Sequence, residues 1–222
     1  MRIAWGFIRV IPQLISGSWK IAELPHPVIS IFGGSRLDEG KADADNIAFE
    51  LARRISAKKI SVLTGGGPGV MAAANCGAAS VPGGRDRTMG IGVSGLNRRE
   101  PRNACTQQFF LTDYFYLRKY LLIYYSHAFV VLPGGFGTVD ELTEVITLMQ
   151  TGKLPHMPII LIGTQYWHPF MSWVKEAVKE GLVTKRHADF ITVTDDINLA
   201  EKLVVHFCLS PECPKWQHRK II

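Results

Sequence analysis

The sequence predicts a single-domain α/β protein, with one parallel sheet and helices on both of its faces in a three-layer arrangement. One observation is the order of its elements, because short apolar runs alternate with longer stretches that carry apolar residues at helical spacing. Another is that three of the apolar runs end in glycine-containing segments, which allow close approach of a ligand to the backbone. The composition agrees, since 222 residues with 47% hydrophobic and 20% charged side chains suit one soluble domain.

Six apolar runs of four or five residues predict the strands. They are residues 28–32, 60–63, 89–93, 128–131, 158–162 and 190–193. The stretches between them predict helices over residues 40–57, 70–79, 113–126, 142–150, 170–180 and 197–207. Thr112 is a suitable N-cap and Gly152 a suitable C-cap. This order predicts a Rossmann-like parallel sheet, in which ligands bind at the carboxyl ends of the strands, near the point where strand order reverses.

The two ends of the chain differ from this central pattern. We predict a helical extension over residues 1–27, the Rossmann-like domain over 28–208 and a tail over 209–222. Arg9 and Pro12 interrupt the apolar N-terminal stretch, and no clear small-residue cleavage site follows it. A helix docked on the domain is therefore favoured over a targeting or membrane-surface segment. No run approaches the ~20 apolar residues of a membrane span, so we expect no membrane partner.

Charge and cysteine content narrow the classes of partner. The net charge of +6 suits an anionic small molecule. No basic cluster carries an aromatic ladder, so we expect no nucleic acid. The four cysteines show no C-x-x-C spacing, which argues against a metal site and predicts free thiols in a reducing cytoplasm. We expect no cofactor.

The clearest binding motif lies between the fourth predicted strand and its helix. Gly134, Gly135 and Gly137 precede Thr138 there, and a glycine loop at a helix N-terminus offers free N–H groups and a favourable dipole to an anion. Two further loops, with Gly34-Ser35 and Gly66-Gly67, follow the first and second strands. All three loops are expected at the same edge of the sheet.

Residues 133–141 read Pro-Gly-Gly-Phe-Gly-Thr-Val-Asp-Glu and are preceded by Arg118-Lys119. This combination resembles the Lonely Guy family, cytokinin riboside 5′-monophosphate phosphoribohydrolases and related nucleotide nucleosidases that were long described as possible lysine decarboxylases. The resemblance covers residues 28–204 and includes the glycine loops at 32–35 and 65–71. The chain departs from it in carrying Phe115 where compact plant-type members have Met, and Ala72 where many longer bacterial members have Glu.

The resemblance implies hydrolysis of a nucleoside 5′-monophosphate, AMP or an N6-modified AMP, to free base and ribose 5-phosphate. It implies catalytic roles for Arg118 and Glu141. The residues expected to bind substrate are Gly34, Ser35, Gly66, Gly67, Phe115, Lys119, Gly134, Gly135, Gly137 and Thr138. It also implies a homodimer, formed partly by the tyrosine-rich helix 113–126.

Structural alternatives exist for each of these residues. Thr138 and Glu141 also fit a capping box, in which Thr138 is the N-cap and Glu141 bonds back to its N–H. Arg118 and Lys119 could lie on an exposed helix face, and the loop at 65–69 could be only a tight turn.

At the level of function, the alternative is a nucleotide or nucleotide-like cofactor carrier of the same fold that hydrolyses nothing. A dehydrogenase is less well supported, because the loop after residue 32 lacks the G-x-G-x-x-G spacing. No motif for a pyridoxal-phosphate lysine is present.

Overall fold

The computed structural model describes residues 2–35, 42–96 and 100–214. Its centre is a seven-stranded sheet in the order β4-β3-β2-β1-β5-β6-β7, and every neighbouring pair of strands is parallel. The strands are β1 Val28–Phe32, β2 Ser61–Thr64, β3 Thr88–Val93, β4 Gln108–Thr112, β5 Phe129–Val131, β6 Ile159–Ile162 and β7 Ile191–Thr194. This confirms the predicted α/β class and the parallel sheet.

Eight α-helices accompany the strands in the described part of the chain. They are α1 Arg2–Ala22, α2 Ala42–Ala57, α3 Val70–Ala79, α4 Phe115–Tyr124, α5 Phe136–Gln150, α6 Thr164–Lys179, α7 Lys185–Ala188 and α8 Ile197–Cys208. The predicted start of the second helix, at residue 40, lies outside the described residues. None of the described helices has the length and apolar character needed to cross a bilayer.

The alternation of side chains along β1 shows how the three layers form. Val28 and Phe32 belong to one apolar cluster, and Ile29 and Ile31 to another, because successive residues of a strand point to opposite faces. Helices α1, α4, α5 and α6 contribute to the first cluster, and α2, α3 and α8 to the second. Both faces of the sheet are therefore covered, which explains why the central strands are apolar throughout.

Strand order reverses between β1 and β5, at the middle of the sheet. At this point the Gly34 N–H donates to the Pro133 carbonyl at 3.0 Å, and the Val70 N–H donates to the Gly34 carbonyl at 3.1 Å. These bonds join the loops after β1 and β5 to the start of α3. Little space remains between them, since a Cβ at Gly69 would lie 3.2 Å from Cα of Ser35. The fold thus brings the glycine loops together at the reversal point.

Several elements differ from the prediction. Strand β4 was missed, because its apolar run covers only residues 109–111 between Gln108 and Thr112, and an edge strand needs no longer one. Thr112 ends this strand instead of capping α4, and its hydroxyl accepts a hydrogen bond from the Tyr114 N–H at 3.2 Å. Helix α6 begins at Thr164, six residues before the prediction, and includes Pro169. The short helix α7 was also unexpected.

Helix α1 packs against the domain. Ile21 is fully buried in the first apolar cluster. Earlier in the helix, Oε1 of Gln13 accepts hydrogen bonds from the Thr112 hydroxyl at 2.9 Å and from the Asp113 N–H at 3.0 Å. These contacts fix the helix to the end of β4. The domain boundaries assigned from the sequence stay predictions.

The expectation of four free thiols was wrong, because Cys76 and Cys105 form a disulfide. Their Cα atoms lie 4.9 Å apart although 29 residues separate them in the sequence. The bond joins α3 to the segment that precedes β4. Spacing alone could not reveal it, since the packing of α3 beside this segment is a product of the tertiary fold. Cys208 and Cys213 take part in no disulfide with a described residue.

We expect reduction of this disulfide to lower the free energy of unfolding by about 3–4 kcal/mol, because the unfolded chain regains the entropy of an open loop of roughly 30 residues. Thermal melts with and without dithiothreitol measure the effect. The double variant Cys76→Ala/Cys105→Ala is the control and should not respond to the reductant. An unchanged melting temperature for the reduced wild-type protein would contradict the expectation.

Candidate active site

A cleft of about 600 Å³ opens at the reversal point of the sheet. The loops after β1 and β5, the start of α3 and the facing sides of α4 and α5 form its walls. All predicted site residues line it except Gly66 and Gly67. Its lining residues with polar side chains or glycine loops are Gly33, Gly34, Ser35, Asp45, Gly65, Glu100, Arg118, Lys119, Gly134, Gly135, Gly137, Thr138, Asp140, Glu141 and Tyr166.

The first turn of α5 forms one end of the cleft. Gly135 is the N-cap, so the N–H groups of Phe136, Gly137 and Thr138 belong to the turn that lacks carbonyl partners within the helix. A Cβ added to Gly135 or Gly137 would meet no atom within 4 Å. These glycines therefore leave open space beside a helix N-terminus, which is the environment that an anion requires.

Gly134 has a different role from its two neighbours. A Cβ at this position would collide with the side chain of Thr138 and lie 2.9 Å from the backbone nitrogen of Gly34. The carbonyl of Gly134 accepts a hydrogen bond from the Tyr166 hydroxyl. Gly134 thus allows the loops after β1 and β5 to approach each other. The side chain of Thr138 packs beside Gly134 and lines the same end of the cleft.

The capping-box interpretation of Thr138 and Glu141 was wrong. Helix α5 begins at Phe136, so Thr138 is its third residue and Glu141 lies in its second turn. The predicted start at residue 142 was late because the helix includes the second half of the glycine motif. Helix capping therefore does not explain why a carboxyl group stands at position 141.

Arg118 lies opposite α5, on α4. Its side chain is buried, and Nη1 forms an ion pair with Oε2 of Glu100 at 3.6 Å. Nη2 lies 3.9 Å from Sδ of Met71, and the guanidinium packs so closely on Gly65 that a Cβ there would collide with it. Within the described part of the chain, Nε has no hydrogen-bond partner. The interpretation of Arg118 as an exposed surface residue is therefore wrong.

Glu141 is the most perturbed acid of the cleft. Its pKa is raised from 4.5 to about 7, chiefly by burial, and the negative charges of Glu100 and Asp140 contribute to the rise. The positive charges of Arg118 and Lys119 oppose this rise without cancelling it. Neighbouring side chains enclose the carboxyl group, while the open cleft leaves it partly accessible to solvent. A carboxyl group with this pKa in a cleft is a typical catalytic acid or base.

Lys119 is committed to the contact between α4 and α5. Its Nζ forms ion pairs with Glu144 at 2.7 Å and with Asp140 at 3.1 Å. Burial lowers the pKa of Lys119, but the hydrogen bonds to Glu144 and Asp140 outweigh it, so its pKa is raised overall. The ammonium group borders the cleft while its bonds hold the two helices together.

Gly66 and Gly67 lie beneath the cleft instead of in its wall. Gly66 has a φ of +72°, and a Cβ there would lie 3.1 Å from Cα of Gly90. The carbonyls of Gly66 and Gly67 accept hydrogen bonds from Asn103, at 2.9 Å from its backbone nitrogen and 3.1 Å from Nδ2. The turn therefore supports the floor of the cleft. Within this turn, Gly65 contacts the guanidinium of Arg118.

The lining side chains that the sequence prediction did not place in the site include Asp45, Met71, Glu100, Phe136, Asp140 and Tyr166. Met71 follows the second glycine loop directly, so its position was a usable signal. Glu100 lies in a segment without regular secondary structure, where spacing has no predictive value. The described residues contain no cluster of His, Cys, Asp or Glu that could hold a metal ion.

Comparison with known proteins identifies the family. A family model described as "Possible lysine decarboxylase" matches residues 71–204. A probable cytokinin riboside 5′-monophosphate phosphoribohydrolase of Oryza sativa subsp. japonica is 30% identical over 87% of this chain and 75% of its own length. The chain belongs to the Lonely Guy family. A second relative with that enzyme name, from Arabidopsis thaliana, is 32% identical over 72% of this chain and 74% of its own length.

Solved structures show the same fold at lower identity. The molybdenum cofactor carrier protein of Chlamydomonas reinhardtii is 22% identical with a TM-score of 0.61, over 83% of this chain and 99% of its own. The molybdenum cofactor binding protein of Rippkaea orientalis is 17% identical with a TM-score of 0.58, over 80% and 94%. At these identities the Lonely Guy chain shares a fold with the carriers, and the likeness carries no further meaning.

The pKa of Glu141 makes a prediction about stability. Between pH 4.5 and 7 the folded chain keeps a proton on Glu141 that the unfolded chain releases. This group therefore stabilises the fold most below pH 4.5, and its contribution is lost as the pH rises through 7. We expect Glu141→Gln to melt close to the wild-type protein at pH 4.5 and above it at pH 8.

Glu180→Gln provides a matched control, because Glu180 is exposed and lies outside the cleft. It should change the melting temperature little at either pH. Calorimetric melts at both pH values measure the difference. A Glu141→Gln variant that is less stable than the wild type at pH 8 would show that the ionised carboxylate is stabilising, against the expectation.

Proposed function

We propose that this protein hydrolyses the N-glycosidic bond of a nucleoside 5′-monophosphate, AMP or an N6-modified AMP such as a cytokinin riboside 5′-monophosphate. The products are the free base and ribose 5-phosphate. The observation that carries the proposal is the position of Glu141. This carboxyl group has a pKa of about 7 and lies in the second turn of α5, close to a helix N-terminus that can bind an anion. The buried cation Arg118 is near enough to lower its pKa. The names of the plant relatives point to the same reaction.

The phosphate is assigned to the first turn of α5. Its oxygens would accept hydrogen bonds from the N–H groups of Phe136, Gly137 and Thr138 and from the Thr138 hydroxyl. Binding energy from this non-reacting group is then available to hold the ribose in position for the chemical step. Gly34 and Ser35, at the end of β1, form the facing wall of the same region.

Bond cleavage gives the ribose oxocarbenium character, as in other glycosyl hydrolases. Glu141, in its ionised form, is placed to stabilise that positive charge or to orient the attacking water. Arg118 is placed to stabilise the negative charge that develops on the departing base. Both side chains are enclosed, and electrostatic interactions are stronger in such surroundings than in water.

The base is assigned to the mouth of the cleft. Phe115 and Phe136 border it and are 56% and 97% exposed, so they offer apolar surface that a base or an N6-substituent could cover. Covering aromatic surface is favourable because it removes apolar area from water. The preference between AMP and its N6-modified forms depends on this region.

A non-hydrolytic carrier of a nucleotide-like cofactor is the second candidate. The sequence leaves it open, and two proteins that share this fold are named as a molybdenum cofactor carrier protein and a molybdenum cofactor binding protein. Such a carrier needs the glycine loops, but it has no need for a carboxylate with a raised pKa beside the ligand. Turnover separates the two functions, since a carrier would bind nucleotides and release no base.

We expect AMP to be hydrolysed and adenosine to be a very poor substrate. Adenosine lacks the phosphate that would bind to the first turn of α5. The rate of the chemical step should fall as well as affinity, since binding energy of the phosphate supports that step. Chromatography of free adenine, with ribose 5-phosphate measured in parallel, gives both kinetic constants. Equal values of kcat/KM for the two compounds would contradict the assignment.

We expect Glu141→Gln to stay folded, to bind AMP and to lose roughly a hundredfold or more in kcat, the scale for one positioned catalytic group. A neutral amide cannot offset the charge of an oxocarbenium-like centre. Glu180→Gln is the control, because Glu180 is an exposed acid outside the cleft. Near-normal turnover of Glu141→Gln would remove Glu141 from the catalytic role.

We further expect a homodimer in which α4 takes part. Tyr116 on this helix is 56% exposed, and the ring of Tyr114 lies 5.3 Å from it, so the helix presents aromatic surface of the kind enriched at interfaces. Light scattering at micromolar concentration should give twice the mass of the 24.7 kDa chain. A monomer at that concentration would contradict the expectation.

A further inference from the structure

A buried polar network lies directly beneath the cleft. It is centred on Asn103, which is 9% exposed, and Asn75, which is fully buried. Nδ2 of Asn103 donates to Oδ1 of Asn75 at 3.0 Å. The same Oδ1 accepts from the Thr64 hydroxyl at 2.6 Å, and Nδ2 of Asn75 donates to the Thr88 hydroxyl at 2.8 Å. A fully bonded network of this kind holds its members in one arrangement.

Asn103 uses all its polar groups to join two segments. Its backbone N–H and Nδ2 bind the carbonyls of Gly66 and Gly67, in the turn after β2. Its Oδ1 accepts from the Cys105 N–H at 3.2 Å, and its carbonyl accepts from the Thr106 hydroxyl at 2.9 Å. We call residues 100–106 the support segment. Asn103 therefore fixes the support segment to the turn that follows β2.

Both of these segments contact Arg118. Gly65, in the turn, lies against the guanidinium, and Glu100, in the support segment, forms its ion pair. Gly67 packs beside Glu100, since a Cβ at Gly67 would lie 3.5 Å from Cβ of Glu100. Two walls of the Arg118 site are thus joined by one residue that does not line the cleft.

We propose that Asn103 is a positioning residue, which holds the turn after β2 and the support segment in the arrangement that fixes the guanidinium of Arg118 in the cleft. The disulfide between Cys76 and Cys105 is a second link on the same segment, because it joins the segment to α3, the helix that carries Asn75. This inference rests on the proposed function for its kinetic consequence. Its structural consequence, the enclosure of Arg118, is independent of any reaction.

Asn103→Ala tests the proposal against a matched control. Ser56→Ala removes a buried hydrogen bond of similar length, 3.0 Å to the Ala78 carbonyl, between α2 and α3 and away from the cleft lining. Two kinds of measurement are made on each protein well below its melting temperature. One is kcat and KM for AMP, and the other is modification of Arg118 by phenylglyoxal, followed by mass spectrometry with exposed arginines as internal reference.

We expect Asn103→Ala to lower kcat at least tenfold, because a small misplacement of a catalytic group has large effects on rate. KM should change by less than about threefold, since the phosphate loop lies on other elements. Arg118 should become several-fold more reactive. Ser56→Ala should leave all three quantities unchanged. If Asn103→Ala melts earlier but keeps normal kcat and a protected Arg118, its role is only structural and the proposal is wrong.

Reduction by dithiothreitol, which converts the cystine to two thiols and is itself oxidised to a cyclic disulfide, tests the second link. In the wild-type protein Asn103 remains, so Arg118 should stay protected. In Asn103→Ala both links are lost, so reactivity should rise further. An equal response of the two proteins to the reductant would overturn the claim that the links act on one segment.

Two other outcomes are informative. If Asn103→Ala does not fold, Asn103→Asp replaces it, because it keeps the acceptor for Cys105 and loses the donor to Gly67. It should give the same changes in kcat and in Arg118 reactivity. If the wild-type protein does not hydrolyse AMP, the proposed function fails, while the reactivity of Arg118 in the variants still supports or contradicts the positioning role.

Discussion

The site depends on the close approach of backbone segments where the strand order reverses. The hydrogen bond from the Gly34 N–H to the Pro133 carbonyl joins the loops after β1 and β5 directly. A Cβ at Gly134 would prevent this approach. Because Gly134 has no side chain, the two loops can approach closely, and α5 begins at Phe136, a short glycine loop after β5 ends at Val131. The first turn of α5 therefore lines the cleft. Everything proposed about phosphate binding follows from this constraint.

The partial burial of Glu141 sets the chemistry of the site at a cost to stability. A carboxyl group whose pKa is raised by burial is held in surroundings that do not favour its charge. Arg118 offsets part of that cost, and its Nη1 also forms an ion pair with Glu100. The cleft therefore contains a buried cation that interacts with two acidic side chains. Carboxyl groups with a perturbed pKa and a charged neighbour in a cleft are typical of functional sites.

Much of this architecture was predictable because its signals are local. The apolar runs of β1 and β5, the glycine motif at 133–137 and the Arg118-Lys119 pair can each be recognised from a few consecutive residues. Features set by tertiary contact were not predictable. Residues 108–112 form an edge strand only because β3 provides a partner. Thr138 and Glu141 have capping-box spacing, yet Gly135 starts the helix three residues earlier. The support segment has no helical or strand periodicity in its sequence. Its contacts near the site, made by Glu100, Asn103 and the Cys76–Cys105 bond, depend on tertiary packing.

The proposed site is tested most directly by a crystal structure of the Glu141→Gln variant with intact AMP, since this variant should cleave its substrate very slowly. We expect phosphate oxygens within hydrogen-bond distance, about 3 Å, of the N–H groups of Phe136, Gly137 and Thr138. We expect C1′ of the ribose within roughly 3–4 Å of the side chain at position 141, with the base next to Arg118. A phosphate bound elsewhere, or a ribose turned away from position 141, would contradict it.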